Sequence, residues 1–187
     1  MNEHRPSIKR LVYISSTGVF PNRPGTYSED TQPLPESEKG KLRWTTEQAL
    51  APFFDLRVVR PAAIYGPSRG IPQRLRQNMP IPTDSGKIQR VHVADLAAIC
   101  YLALTQKKMP KVIHAIDREP ATSLEVAQWL LSQTAWAGVE MTTEGGYLAR
   151  RGYSSVPGRL IETRRLDDLG FNHQFPDYRA ALAQEKP

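Results

Sequence analysis

The sequence predicts an α/β protein built on an open, mainly parallel sheet of about three strands, and three observations predict it. Short apolar runs recur along the chain: Leu11–Ile14 (LVYI), Leu56–Arg60 (LRVVR) and Lys111–Ile116 (KVIHAI). Segments with helical start and stop signals alternate with them. The first two runs empty into turns rich in Ser, Thr, Gly and Pro, which is how a parallel sheet delivers reactive side chains to its carboxyl edge.

In chain order, Leu11–Ile14 is continuously apolar and reads as a strand buried on both faces. It carries Ser15, Ser16 and Thr17 at its end. Pro21, Pro24, Gly25, Pro33 and Pro35 mark the segment 21–36 as a loop over the carboxyl edge. The string EKGKLRWTTEQAL predicts a helix over Glu38–Leu50, with Leu42, Thr46 and Ala49 on one stripe and Pro52 ending it. Leu56–Arg60 is the second strand, followed by the punctuated RPAAIYGPSR. Residues 89–93 read as a short extended piece. Asp95 is placed to cap a helix over Leu96–Gln106, whose negative end suits Lys107 and Lys108. After the third strand, Thr122 or Ser123 caps a helix over Leu124–Gln133, the segment 137–158 is too glycine-rich to assign, and short helices are expected over Thr163–Leu169 and Asp177–Ala183. With so few strands, Leu11–Ile14 is expected to lie at an unpaired edge, an association hazard unless another copy or a partner pairs there.

Composition excludes several function classes. Cys100 is the sole cysteine, so no internal disulfide and no thiolate-based zinc site can form, and a reducing cytoplasm fits. His4, His92, His114 and His173 are too scattered for a metal helix, so no metal is expected. No apolar run reaches the ~18 to 20 residues of a membrane span. Lys+Arg 25 against Asp+Glu 19 gives a net +6, attractive to phosphates. The basic pairs Arg74 with Arg76, Arg150 with Arg151 and Arg164 with Arg165 have no interleaved aromatics and read as surface charge rather than a nucleic-acid site.

ISSTGVF, a helix about twenty residues on, LRVVRPAAIYGPSR, RVHVADLA and the ending ETRRLDDLGFNHQFPDYRAAL occur in the order that resembles the extended short-chain dehydrogenase/reductase superfamily of NAD(P)-dependent epimerases and dehydratases. The resemblance is strongest to its atypical members and runs from Leu11 to Leu182. It implies the C-terminal half of a Rossmann-like, doubly wound sheet, with a core over about 8–135 and a substrate-side region over about 136–187. It also implies NAD or NADP as cofactor and a small hydroxylated substrate such as a sugar nucleotide.

The resemblance makes Ser16 the catalytic hydroxyl, with Thr17 as the near alternative. A hydroxyl there can donate to an oxygen that gains charge during hydride transfer. The competing reading is that these hydroxyls satisfy backbone groups at a strand end. Family members carry Y-x-x-x-K on the helix that follows; aligned on EQAL, Lys39 stands in the tyrosine's place and Arg43 in the lysine's. Two cations four residues apart face each other, and a lysine needs about 4 kcal/mol of destabilisation to act as a base at neutral pH. Lys39 therefore reads as a degenerate position on a solvated basic face, while Arg43 is left open between that and a ribose or phosphate contact. Tyr27 is the nearest tyrosine, in a different element.

Pro61, Ala62, Ile64 and Tyr65 match the family segment lining the nicotinamide, with Gly66 and Pro67 forming a tight turn. Arg69 and Arg90 are the implied substrate contacts. His92 and Asp95 invite a triad with Ser16, but no G-x-S-x-G elbow is present. The sequence holds no G-x-x-G-x-x-G phosphate turn. The expectation is a truncated or split protein, inactive or weakly active alone, acting as a homodimer or with a missing N-terminal half. The rival is a non-catalytic module that binds a partner protein or nucleic acid through the open edge and basic surface.

Overall fold

The computed structural model describes residues 9–150, 152 and 158–187. The elements run β1 (Arg10–Ile14), β2 (Gly25–Tyr27), α1 (Glu38–Leu50), β3 (Asp55–Pro61), β4 (Ala63–Tyr65), α2 (Ile71–Arg76), β5 (Ile81–Pro82), β6 (Arg90–His92), α3 (Val93–Thr105), β7 (Val112–Ala115), α4 (Ser123–Leu131), β8 (Thr143–Glu144), α5 (Tyr147–Arg150), β9 (Arg159–Ile161), α6 (Arg164–Asp168) and α7 (Tyr178–Leu182). The three apolar runs become β1, β3 and β7, which form a parallel sheet in that order, Leu11 opposite Leu56 and Val59 opposite Ile113. Further parallel pairs, β2 with β9, β4 with β6 and β5 with β8, carry the chain beyond the sheet. These short strands lack a periodic signal of their own, and only the 89–93 piece was visible in the sequence. His4 and Arg151 lie outside the described residues.

The open edge is where the sequence places it: among the described residues β1 has a neighbour on one side only. Its burial differs from expectation. Instead of being enclosed on both faces, β1 is half-buried from Arg10 to Tyr13 and Ile14 is 46% exposed. Apolar continuity reports a strand, not its position in the sheet.

Helix α1 has the predicted bounds and is capped by Ser37, whose hydroxyl accepts from the Gly40 amide. Its expected stripe is wrong. Leu42 is 69% exposed, and the buried residues are Gly40 and Glu47. Polar groups of β1 and β3 lie under this helix, so the face that packs inward is the one carrying a carboxylate.

Helix α3 starts at Val93 and is capped by His92 rather than Asp95, the imidazole accepting from the Ala94 amide. Asp95 is buried and accepts instead from the amides of Gln174 and Phe175, at 2.8 and 3.0 Å. It ties the C-terminal segment to the helix. Thr122 caps α4 as predicted, in a reciprocal capping box with Glu125. The 137–158 segment left unassigned holds β8 and α5.

Three apolar clusters form the core. Val59, Val91, Ile99, Ala103, Ile113 and Leu166 pack between α3 and the sheet. Tyr65, Leu75, Ile81, Leu130, Trp136 and Leu182 join α2, α4 and α7. Val19, Phe20, Ile116 and Ile161 close the carboxyl edge between them.

Candidate functional site

Parallel pairing brings the carboxyl ends of β1 and β3 side by side, and the turns leaving them open two adjoining clefts. The first, about 160 Å³, is lined by Thr17, Asn22, Ala62, Lys87, Gln89 and Arg159, among others. The second, about 430 Å³, shares Ala63 and Ile88 with it and is lined by Ile64, Tyr65, Arg69, Arg90, Tyr147 and Tyr178 with their neighbours. Most of the residues singled out in the sequence fall on these two walls.

Thr17 and Ser16 separate in role. Ser16 caps the short 3-10 turn Thr17–Val19, its hydroxyl accepting from the Gly18 amide at 3.0 Å. Thr17 is buried and lines the first cleft. Lys39 is exposed in the first turn of α1 and lines neither cleft. Arg43 reaches back instead and donates to the carbonyls of Ile14 and Ser15, at 3.2 and 3.0 Å, so its fork is used on the end of β1. Both departures follow from α1 standing over the strand ends with Glu47 inward.

Pro61 ends β3 in the core, Ala62 borders the first cleft, and Ile64 and Tyr65 face the second. The predicted turn forms between Gly66 and Arg69, whose backbones exchange hydrogen bonds of 3.2 and 3.0 Å. A side chain at Gly66 would lie 2.8 Å from Val93 Cγ1, so glycine lets this turn approach α3.

Arg90 is buried, and its Nη1 donates to the carbonyls of Ile88 and Ala121 at 2.7 and 2.6 Å. Its amide donates to Asp117 Oδ1 at 3.4 Å. Burial drives the Asp117 carboxyl up to about 7, against the pull of Arg90. Tyr65 is raised above its ordinary value by burial and by the nearby Asp117. Among the described residues neither the Tyr65 hydroxyl nor Asp117 Oδ2 has a hydrogen-bond partner. Buried polar atoms without partners are uncommon and mark places where a ligand or water completes the arrangement.

The hydrolase triad does not assemble. His92 Nδ1 is used as a cap, its ring packs against Tyr65 and Phe175 at centroid distances of 5.4 and 4.0 Å, and Asp95 spends both oxygens on backbone amides. Tyr27 lies in β2 and stacks on Phe20 with centroids 5.3 Å apart. No group of His, Cys, Asp and Glu among the described residues could hold a metal ion.

Sequence reasoning missed Asn22, Lys87 and Arg159. Lys87 follows the turn-favouring residues Asp84, Ser85 and Gly86, Arg159 follows Gly158, whose φ is 61°, and both line the first cleft. Neither belongs to a motif, and only the fold brings them within one cleft of Thr17.

No protein-family model matches the chain. It is 26% identical over 174 residues to Protein YeeZ of Escherichia coli K12, covering 91% of this chain and 60% of that protein. The chain thus spans about three-fifths of the length of this curated relative. Among solved structures, it superposes on UDP-glucuronic acid 4-epimerase from Bacillus cereus in complex with NAD with a TM-score of 0.75 at 17% identity, covering 94% of this chain and 58% of that one. On the human epimerase family protein SDR39U1 with NADPH the TM-score is 0.73 at 21% identity, covering 96% and 66%. By fold the chain has the Rossmann-like α/β architecture of the NAD(P)-dependent epimerase/dehydratase and atypical short-chain dehydrogenase/reductase structures, matched over the part of them that it spans.

Proposed function

We propose that this chain is the substrate-side portion of an NAD(P)-dependent epimerase/dehydratase-like protein, and that by itself it has little or no oxidoreductase activity. The observation that carries the reading is the convergence of Thr17, Ala62, Lys87 and Arg159 on one cleft at the carboxyl edge of a parallel sheet. Thr17 supplies a hydroxyl to a substrate oxygen. Lys87 and Arg159 supply positive charge at the same mouth, suited to a phosphate or carboxylate. Ser16 is a cap in this reading and Arg43 a clamp on β1, so neither hydroxyl nor guanidinium is kept for substrate. The substrate class is a sugar nucleotide, as the UDP-glucuronic acid and NAD held by related structures suggest.

The cofactor fit is partial. Ala62 and Pro61 offer a small apolar wall for a nicotinamide ring. A pyrophosphate wants a row of free amides at a glycine-rich helix start, and the one glycine in the turn after β1, Gly18, already donates its amide to Ser16. When bound, NAD or NADP supplies the hydride chemistry; this chain contributes the hydroxyl, the cations and the apolar wall. The core over about 8–135 carries the cofactor wall together with Thr17 and Lys87, and the region over about 136–187 adds Arg159 on the substrate side.

Titration calorimetry tests both halves of the proposal. NADH and NADPH are expected to show no micromolar binding, and UDP-glucuronic acid is expected to bind with an affinity that Lys87→Ala weakens roughly tenfold, the usual worth of one charge-assisted contact. Micromolar binding of either dinucleotide overturns the inactivity, and no binding of the nucleotide sugar overturns the substrate class.

A further inference from the structure

A third hollow, about 280 Å³, lies on the α1 side of the sheet, between that helix, the loop over residues 29–33 and the strands β3 and β7. Pro33, Trp44, Phe54, Leu56 and Val58 give it apolar walls, and the buried Glu47 and Arg60 complete it. It shares no lining residue with either cleft at the carboxyl edge.

The polar groups around it divide by whether they are already engaged. Its acceptors are spent. Glu47 holds the Ser15 hydroxyl and both Nε and Nη2 of Arg60, Glu29 accepts from the His114 amide at 3.3 Å, and Asp30 pairs with Arg165. Burial also raises the Glu29 carboxyl above its ordinary value, which lessens the negative charge it presents. Its donors are not spent. Arg60 is 2% exposed, and among the described residues its Nη1 donates to nothing. The indole N–H of Trp44, whose ring lies 5.9 Å from the Arg60 guanidinium, and the Lys111 ammonium at the rim likewise have no hydrogen-bond partner among those residues. Unspent donors on one side of a hollow whose acceptors are all engaged call for an anion.

We propose that this hollow binds a small aromatic carboxylate, its acid group held by Arg60, Trp44 and Lys111 and its ring by Phe54, Leu56 and Val58. The charge count selects a carboxylate over a phosphate. Glu47 already offsets Arg60 and Arg165 offsets Asp30, so Lys111 alone is left to balance a ligand, and a dianion would bury charge without a counterpart. The walls select a ring over an alkyl chain, because Trp44 and Phe54 offer the face and edge contacts that aromatic pairs prefer. The volume stands at the small end of ligand pockets, with room for one ring and its acid group but not for a nucleotide. This ligand is therefore distinct from the nucleotide sugar assigned to the first cleft.

Proton–nitrogen correlation spectra of the isotope-labelled full chain test this, with phenylacetate as the probe and phenethyl alcohol and phenethylamine as its neutral and cationic counterparts. Phenylacetate is expected to move the Trp44 indole signal, assigned by its loss in Trp44→Phe, and to leave those of Trp129 and Trp136 in place. The alcohol is expected to bind about tenfold more weakly, and the amine not at all. Lys111→Ala, at an exposed position, is expected to weaken phenylacetate by about threefold, the worth of one exposed charge. Ala51→Phe, exposed at the end of α1, fills the hollow while leaving the Glu47–Arg60 pair in place and is expected to abolish the shift, with circular dichroism confirming that each variant folds. A Trp44 signal that stays in place at millimolar phenylacetate overturns the proposal. An alcohol that binds as well as the acid overturns the anion assignment, and binding indifferent to Lys111→Ala or to a folded Ala51→Phe overturns the placement.

Discussion

Ser15, Glu47 and Arg60 form a buried polar chain beneath α1. The Ser15 hydroxyl donates to Glu47 Oε1 at 2.5 Å, and Arg60 donates to both carboxylate oxygens, at 3.2 and 2.6 Å. The Arg60 guanidinium also lies 5.4 Å from the Phe20 ring and 5.9 Å from that of Trp44. Removing one partner strands a charge in the interior, so Arg60→Met is expected to cost about 3–5 kcal/mol in urea unfolding. Two other buried groups contribute opposite responses to pH. His114 is fully buried, its Nδ1 2.8 Å from the Glu162 carbonyl, and burial pushes the imidazole down to about 4. The unfolded chain takes up this proton first, so stability is lost as pH falls from about 6.5 towards 4. Asp117, raised to about 7, acts in the opposite sense. Its folded form holds the proton longer, and stability is lost as pH rises from about 4 towards 7. Each contribution is on the order of 3 kcal/mol and they offset one another in the same window. Denaturant titrations across that window are therefore expected to give a rising slope with pH in Asp117→Asn and a falling one in His114→Phe. Like slopes in both variants would contradict the assignment. None of these partners is marked by sequence spacing: Ser15 was seen only as one of three hydroxyls, and Glu47 and Arg60 belong to different elements.

At the scale of elements, local signals carried far. Ser37, Pro52, Thr122 and Asp177 bound α1, α4 and α7 because capping and ring geometry act within a few residues of the chain. Where two local acceptors could cap α3, the outcome depended on distant partners: His92 accepts from the Ala94 amide, while Asp95 accepts from the amides of Gln174 and Phe175. The face that α1 buries was hidden for the same reason. Leu42 and Ala49 read as core, yet the surface beneath the helix is polar. Gly40 shows how closely α1 approaches the turn after β1. A side chain there would collide with the Gly18 carbonyl and crowd Pro35 Cβ at 3.0 Å. Gly40→Ala is expected to push the helix off the turn at a cost of about 1–3 kcal/mol, visible as a lowered thermal midpoint. An unchanged midpoint would show that the contact can relax.

Across the whole molecule, segments far apart in the chain meet at the carboxyl edge of the sheet. The carboxyl edge closes into two clefts that bring together residues from Thr17 to Leu182. Among the described residues β1 has a strand on one side only, and the outer face of α3 carries Val93, Tyr101 and Leu104 exposed. By itself the sequence determined the strand and helix alternation, the parallel sheet, the open edge and the placement of Ser16, Thr17 and RPAAIYGPSR at strand ends, because periodicity, caps and turn residues act locally. Only the tertiary structure decided that Thr17 faces the cleft while Ser16 caps, that Arg43 clamps β1, and that Lys87 and Arg159 share one mouth. Those outcomes depend on which distant groups satisfy each buried donor and acceptor, and chain order does not encode that directly.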